Sequence, residues 1–250
     1  MWDKLIEDIN NDFPFKNYMI QKGIIRPKYS FVMNFINDNF SKDIKILDFG
    51  SGKNDIAAII KNSGYDNIEA YDDCNDIWYN EENKSKLVNF SKKHKINFYE
   101  NIEQLNEKKY DLILLLDIIE HVPKPKDLFN KVKDLLNDNG KILITVPNSV
   151  SLRKRLSVLI GKTNYAIYDE FFDEDDFRGH WREYSIDDLR ILSKKINFKI
   201  KSTSGFNGII PKGNIKFFFF KYFLFVYKFL IKIDISLSDT LGVLLEKDKN

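Results

Sequence analysis

Residues 44–55 read IKILDFGSGKND. Ile44, Ile46, Leu47 and Phe49 form an apolar run broken only by Lys45 and Asp48, which fits a strand buried on both faces. Gly50 and Gly52 let the chain turn tightly and bring backbone close to a ligand, just before a helix N-terminus. The helix is expected over 54–64, with Asn54 as its cap and Gly64 as its end.

The same rhythm runs outward from this unit. Strands are expected at 67–72, 95–100, 110–117 and 141–147, with a polar helix at 81–93. KDLFNKVKDLLNDNG (126–140) places Leu128, Val132, Leu135 and Leu136 on one helical face and stops at Gly140. A basic amphipathic helix follows at 149–162, with Leu152, Leu156, Leu159 and Ile160 on one side, then an acidic, aromatic loop. Ser185 caps a helix over 185–197, and strands at 198–204 and 240–247 complete a set of seven. Short strands alternating with helices define an α/β fold, a doubly wound, mostly parallel sheet. The chain reads as a single domain over 1–250: a helical cap (1–42), a cofactor-binding core (43–147) and acceptor-side or membrane-facing insertions at 148–184 and 206–236.

Composition excludes several classes. A formal net charge of +2 gives no field to hold nucleic acid. Cys74 is the single cysteine, so no internal disulfide forms, which fits a reducing cytoplasm. The acidic opening MWDKLIEDINNDF is unlike a signal peptide.

Ligands of open α/β sheets lie outside the carboxyl ends of the strands. The dinucleotide fingerprint fails here because its third glycine position holds Asp55. Asp48 and Asp55 also place negative charge where a pyrophosphate needs the opposite. Acids suit a cationic cofactor, and S-adenosylmethionine carries a sulfonium and an ammonium. Asp72, about 20 residues on from the loop, is placed to bond a ribose diol.

In order, ILDFGSGKND, EAYDDC, YDLILLLDIIEHVPKP, NDNGKILITVPN and GHWREYSIDDLRIL resemble the motifs of class I S-adenosylmethionine-dependent methyltransferases over about residues 27–205. The resemblance implies a Rossmann-like seven-stranded sheet with an antiparallel last strand. It implies that Asp48 and the loop Gly50, Ser51 and Gly52 hold the amino acid part of the cofactor, Asp72 the ribose, and Asn101 and Ile102 the surroundings of the adenine. Asp117 joins these cofactor-binding candidates. Where the family often has a third glycine this chain has Asn54, which narrows the loop; a degenerate fold kept only for binding is the corresponding alternative.

After the fourth strand, a helical turn puts Asp117, Glu120 and His121 at i, i+3 and i+4 on one face. Three readings follow. His121 packs against the sheet while Glu120 caps; or His121 is a general base for a hydroxyl, as its ordinary pKa near 6.5 allows; or the three side chains hold Mg²⁺ or another divalent metal. The pattern is similar to ubiquinone-pathway O-methyltransferases and small-RNA 2′-O-methyltransferases, and that likeness makes His180 a further catalytic or metal-binding candidate. Asp117 stands where those families have Glu. His94 reads as solvated. The active readings imply oxygen methylation, because an alcohol is a poor nucleophile.

KFFFFKYFLFVYKFLIKI (216–233) is too short and too charged for a membrane span. As a helix it brings Lys221, Lys228 and Lys232 within roughly 40° beside a wide aromatic face, the character of an interfacial helix. Arg153, Lys154 and Arg155 offer a second basic contact to anionic lipid. The segment 147–162 with GHWREYS also resembles methyltransferases of bacterial surface-glycan pathways. The expected acceptor is therefore a glycan or lipid-linked molecule met by a cytoplasmic protein peripheral on the inner membrane face. A quinone or other small molecule is the alternative.

Overall fold

The computed structural model describes residues 2–15, 18–21, 24–76, 78–163, 179–207, 226–227 and 229–248. Helix α1 (Asp3–Asp12), the short antiparallel pair β1 (Ile20–Gln21) and β2 (Ile24–Ile25), and α2 (Pro27–Asn39) precede the first strand of the main sheet. There follow β3 (Ile46–Phe49), α3 (Asp55–Asn62), β4 (Ile68–Tyr71), α4 (Glu81–Lys93), β5 (Asn97–Tyr99) and β6 (Tyr110–Leu116). Then come α5 (Pro125–Asp134), β7 (Leu136–Pro147), α6 (Leu152–Leu159), α7 (Ile186–Lys195), β8 (Phe198–Phe206) and β9 (Thr240–Lys247). The seven-stranded sheet has the order β5-β4-β3-β6-β7-β9-β8. β3 pairs in parallel with β4 and β6, and β4 with β5, while β9 runs antiparallel to β8. The expected Rossmann-like, doubly wound, mostly parallel sheet is thus present.

The chain divides into two compact units, Met1–Leu116 with Phe129–Leu143 and Asp117–Leu128 with Ile144–Asn250. In the first, all four residues of β3 are buried, as a strand covered on both faces requires. α3 buries Ile56 through Ile60. α2 adds Val32, Met33 and Ile36, and α1 adds Ile6 and Ile9, so the N-terminal helices are part of this core. Asn80 caps α4 by accepting from Asn83 N at 2.9 Å, and Lys92 and Lys93 face the negative end of its dipole.

One boundary differs from expectation. α5 ends at Asp134, and Leu136 opens a long strand instead of closing the helix. Gly140 lies inside that strand and stops no helix. A Cβ there would sit 2.6 Å from Leu136 Cγ and 2.8 Å from the Tyr110 carbonyl oxygen, so glycine is required by close approach. Gly140→Ala is expected to destabilise the fold by about 1–3 kcal/mol through overpacking, read as a lower midpoint in urea.

In the second unit, α7 carries a capping box: Asp188 N donates to Ser185 Oγ at 3.1 Å and Ser185 N to Asp188 Oδ2 at 2.9 Å. Asn148 is fully buried and donates to the carbonyls of Ser236 (2.8 Å) and Ser238 (2.7 Å). α6 forms where expected, but with its faces reversed. Lys154 is buried, whereas Leu156, Val158, Leu159 and Ile160 are 50–80% exposed. The neighbouring cations are also engaged within the unit. Arg153 pairs with Asp239 at 3.6 Å, and Arg155 donates to Val150 O at 2.6 Å and Ser236 Oγ at 2.8 Å. Lys154 is therefore removed from the lipid contact expected of Arg153, Lys154 and Arg155, and the outward face carries exposed apolar side chains beside the other two cations.

Residues 216–225 and Lys228 of the aromatic segment, with most of the acidic loop, lie outside the described residues. Residues 226–227 and 229–233 are helical. Tyr227 is buried and donates to Leu237 O at 2.9 Å, while Phe229, Lys232 and Ile233 are exposed. No described helix is long and apolar enough to cross a membrane.

Candidate active site

The glycine loop of the first unit stands at the carboxyl end of β3. Gly50 and Gly52 have φ of 72° and 54°, in the left-handed region, and Gly50 N and Ser51 N donate to Tyr71 O. Among the described residues nothing beyond its chain neighbours lies within 4 Å of a Cβ built on Gly52. Asp72 braces the loop from β4, accepting from Gly52 N at 2.7 Å and Cys74 N at 3.0 Å. Tyr79, which carries no sequence signal, adds a bond from its hydroxyl to Gly52 O at 2.7 Å.

Asn54 does precede α3, but its side chain makes no cap bond, which corrects the reading of it as an N-cap. Its φ is +58°, and its buried amide bonds Ser51 and Ser91 instead. Asparagine tolerates the left-handed region better than other side chains, so the conformation a third glycine would supply is kept. His94 is also corrected. It is buried against Phe90 and bonds Asn62 through Nδ1 at 2.9 Å, and burial pulls its pKa down.

Asp48 is buried, and its Oδ2 accepts no hydrogen bond among the described residues. Burial first, then the carboxylates of Asp55 and Asp72, push its pKa up to about 7 against the pull of Lys28. Asp55 is itself tied to the Tyr29 hydroxyl. Among the described residues, burial and the neighbouring acids outweigh the pull of Lys28 on Asp48. Three buried or half-buried acids beside an open glycine loop fit the sulfonium, ammonium and ribose diol of S-adenosylmethionine. An unfolded aspartate ionises near 4, so the cofactor-free fold binds the extra proton and loses stability as pH rises from about 4 to about 7. A bound cation favours the ionised form. Affinity for S-adenosylmethionine is therefore expected to rise between pH 5.5 and 7.5 with proton release, measured by calorimetry in buffers of different ionisation heat. Asp48→Asn should flatten the dependence.

Asn101 caps the 3₁₀ turn Ile102–Leu105, accepting from Glu103 N at 3.0 Å, while Gln104 bonds back to Asn101 N. Its side chain is thus engaged in the turn, and Ile102 is the half-buried apolar group beside it.

In the second unit, Asp117 has φ of 59° and accepts from Thr145 Oγ1 at 2.9 Å. The next residues form a single 3₁₀ turn, Ile119–His121, which buries Glu120 and exposes His121. The expected face of Asp117, Glu120 and His121 is therefore absent. The left-handed residue breaks the helical register, and Asp117 stands outside the group of possible metal ligands. His180 takes its place: one ligand atom each from Glu120, His121 and His180 lie within 4.8 Å of one another. The rings of His121 and His180 meet edge to face at 4.9 Å.

Backbone pairing brings them together. Trp181 N donates to Glu120 O at 2.8 Å, Arg182 N to the same oxygen at 3.3 Å, and the Tyr184 hydroxyl to Ile119 O at 3.3 Å. Burial, His121 and Lys154 lower the His180 pKa, with Asp117 opposing, which favours the uncharged ring. Its Nδ1 lies 3.2 Å from Glu183 Oε1, and Glu183 Oε2 is paired with Lys154 Nζ. Burial draws Lys154 down to about 8. Glu183 was missed in the sequence, although its place three residues after His180 could have marked it, and Lys154 was read there only as a lipid contact.

This sheet order, with its glycine loop and acid-rich cofactor site, defines a class I methyltransferase fold. A family model described as "Methyltransferase domain" matches residues 24–203, and the chain belongs to that family of S-adenosylmethionine-dependent methyltransferases. A curated relative, the mitochondrial ubiquinone biosynthesis O-methyltransferase of Dictyostelium discoideum, is 27% identical over 117 residues. That stretch covers 47% of this chain and 32% of the relative, about a third of its length. Among solved structures, an S-adenosylmethionine-dependent methyltransferase from Archaeoglobus fulgidus is 16% identical with a TM-score of 0.54, covering 88% of this chain and 93% of that one. Magnesium protoporphyrin IX methyltransferase from Synechocystis, with bound S-adenosylhomocysteine, is 13% identical with a TM-score of 0.53, covering 88% and 82%. At these identities the structures show a shared fold.

Proposed function

We propose that the chain is an O-methyltransferase acting on a hydroxyl of an amphiphilic acceptor, a polar head with a long apolar tail, at the cytosolic face of a membrane. The bound cofactor supplies an activated methyl group. Asp48 and the Gly50–Gly52 loop hold its cationic amino acid part, Asp72 its ribose and Ile102 the edge of its adenine. Asp117, tied to Thr145, keeps the turn that presents Glu120 and His121. The observation that carries the reading is the edge-to-face pairing of His121 with His180. One imidazole of the pair accepts the acceptor's hydroxyl proton, and its neighbour stabilises the charge that forms. Amines and thiols need less such help.

A second reading is favoured by the same cluster. Glu120, His121 and His180 offer one carboxylate and two imidazoles, a donor set for a divalent ion that would acidify the hydroxyl directly.

The amphiphilic acceptor draws on two supports: the exposed apolar residues of α6 with Phe229 and Ile233, and the similarity to an enzyme of ubiquinone biosynthesis. A quinone-type phenol and a lipid-linked glycan share this chemistry. Transfer of labelled methyl from S-adenosylmethionine to isoprenoid phenols and, separately, to lipid-linked glycans tests it. Label on oxygen in one of these arms is expected; label only on nitrogen or sulfur, or none, ends the reading. Loss with a chelator and recovery with Mg²⁺ or Mn²⁺ selects the metal over the base. Flotation with anionic vesicles at low salt is expected as well, and wild-type protein left in the soluble fraction would sink the membrane assignment.

A further inference from the structure

The reversed orientation of α6 has a chemical use. Ser151 caps the helix, Lys154 points inward, and its ammonium meets Glu183 Oε2, while the other carboxylate oxygen lies 3.2 Å from His180 Nδ1. Glu183 and Lys154 side chains are only 18% and 10% exposed, so this contact is largely shielded from water. A carboxylate at neutral pH has no proton to give, and both of its partners must be donors. Lys154, as its ammonium, donates. His180 meets the requirement only when its proton sits on Nδ1.

We propose that Glu183 is a positioning residue that fixes His180 as the Nδ1–H tautomer, with Lys154 locking the carboxylate, so that Nε2 carries the lone pair the site uses. The inference rests on His180 being a base or a ligand, and both of those roles need the same free Nε2. An unrestrained histidine favours the proton on Nε2, which would disable that nitrogen. A carboxylate orienting the far ring nitrogen is the logic of oriented catalytic bases and of second-shell partners to metal-bound histidines. The arrangement also accounts for a buried lysine in a helix whose Leu156 and Leu159 face outward.

Glutamine at position 183 makes the sharpest test, because it has one accepting end and one donating end. Lys154 takes the carbonyl, so the amide NH₂ is left to face His180 Nδ1. That nitrogen must then accept, and the proton moves to Nε2. The full-length protein labelled with ¹⁵N-histidine, with His180 assigned through His180→Asn, reads the tautomer from two-bond ¹H–¹⁵N correlations at pH 7.5. The wild type is expected as Nδ1–H and Glu183→Gln as Nε2–H, with turnover on the active acceptor lowered roughly 10–100-fold, the range for losing an outer partner of a functional histidine. Wild-type His180 found as Nε2–H, or Glu183→Gln still Nδ1–H, overturns the inference. The wild-type spectrum decides alone should the variant fail to fold. If the tautomer reverses while His180→Ala keeps full turnover, the positioning stands and the reading of His180 as base or ligand falls. If His180→Ala is inactive and wild-type His180 is Nε2–H, that reading stands and the positioning falls.

Discussion

His121→Ala and His180→Ala are each expected to lower methyl transfer by about 10²–10⁴-fold, the usual effect of removing a general base, while binding S-adenosylmethionine as the wild type does. The split follows from where the residues lie. Both belong to the segments tied by Trp181 N, Arg182 N and the Tyr184 hydroxyl to the Ile119–Glu120 turn, and neither is in the glycine loop. The double variant should be little worse than either single one, because groups that act as a unit are not additive. Initial rates on the acceptor found by labelled transfer, beside calorimetric cofactor affinities, measure this. Near-normal rates in both single variants would leave the edge-to-face pair as packing only.

Asp72→Ala carries the second large effect. Loss of charge-assisted bonds to a ribose diol should weaken S-adenosylmethionine by about 1.5–3 kcal/mol, roughly 10–150-fold. The same carboxylate accepts from Gly52 N and Cys74 N, so the variant should also loosen the loop and lower the melting temperature. Asp72→Asn keeps one accepting oxygen and should fall between alanine and wild type in affinity. Unchanged affinity in Asp72→Ala would mean that the ribose lies elsewhere.

Much of the fold was legible because burial on both faces leaves near-continuous apolar runs. Ile46–Phe49, Ile68–Tyr71 and Tyr110–Leu116 fall within the strands read from them. The cap signal at Ser185 placed one helix start, whereas the cap at Asn80 was seen only in the structure. The helix-to-strand change at Leu135–Leu136 was not legible. Leucine spacing continues smoothly through it, and only the crowding around Gly140 shows why that glycine belongs to a strand.

At the candidate site the sequence determined residue types and their order: a glycine loop after a buried strand, acids suited to a cationic cofactor, and Glu120 beside His121. It could not determine their partners, since those depend on backbone dihedrals and on contacts distant in sequence. Positive φ at Asn54 and Asp117 turned one side chain away from its cap and removed the other from the ligand group. The pairing of residues 181–184 with the Ile119–Glu120 turn delivered His180 to His121 across 59 positions of chain. Lys154 reads in sequence as one more cation on a basic helix, and only the fold turns it inward to Glu183. Periodicity reports which side chains share a face; which face is buried, and against what, is settled by the whole core.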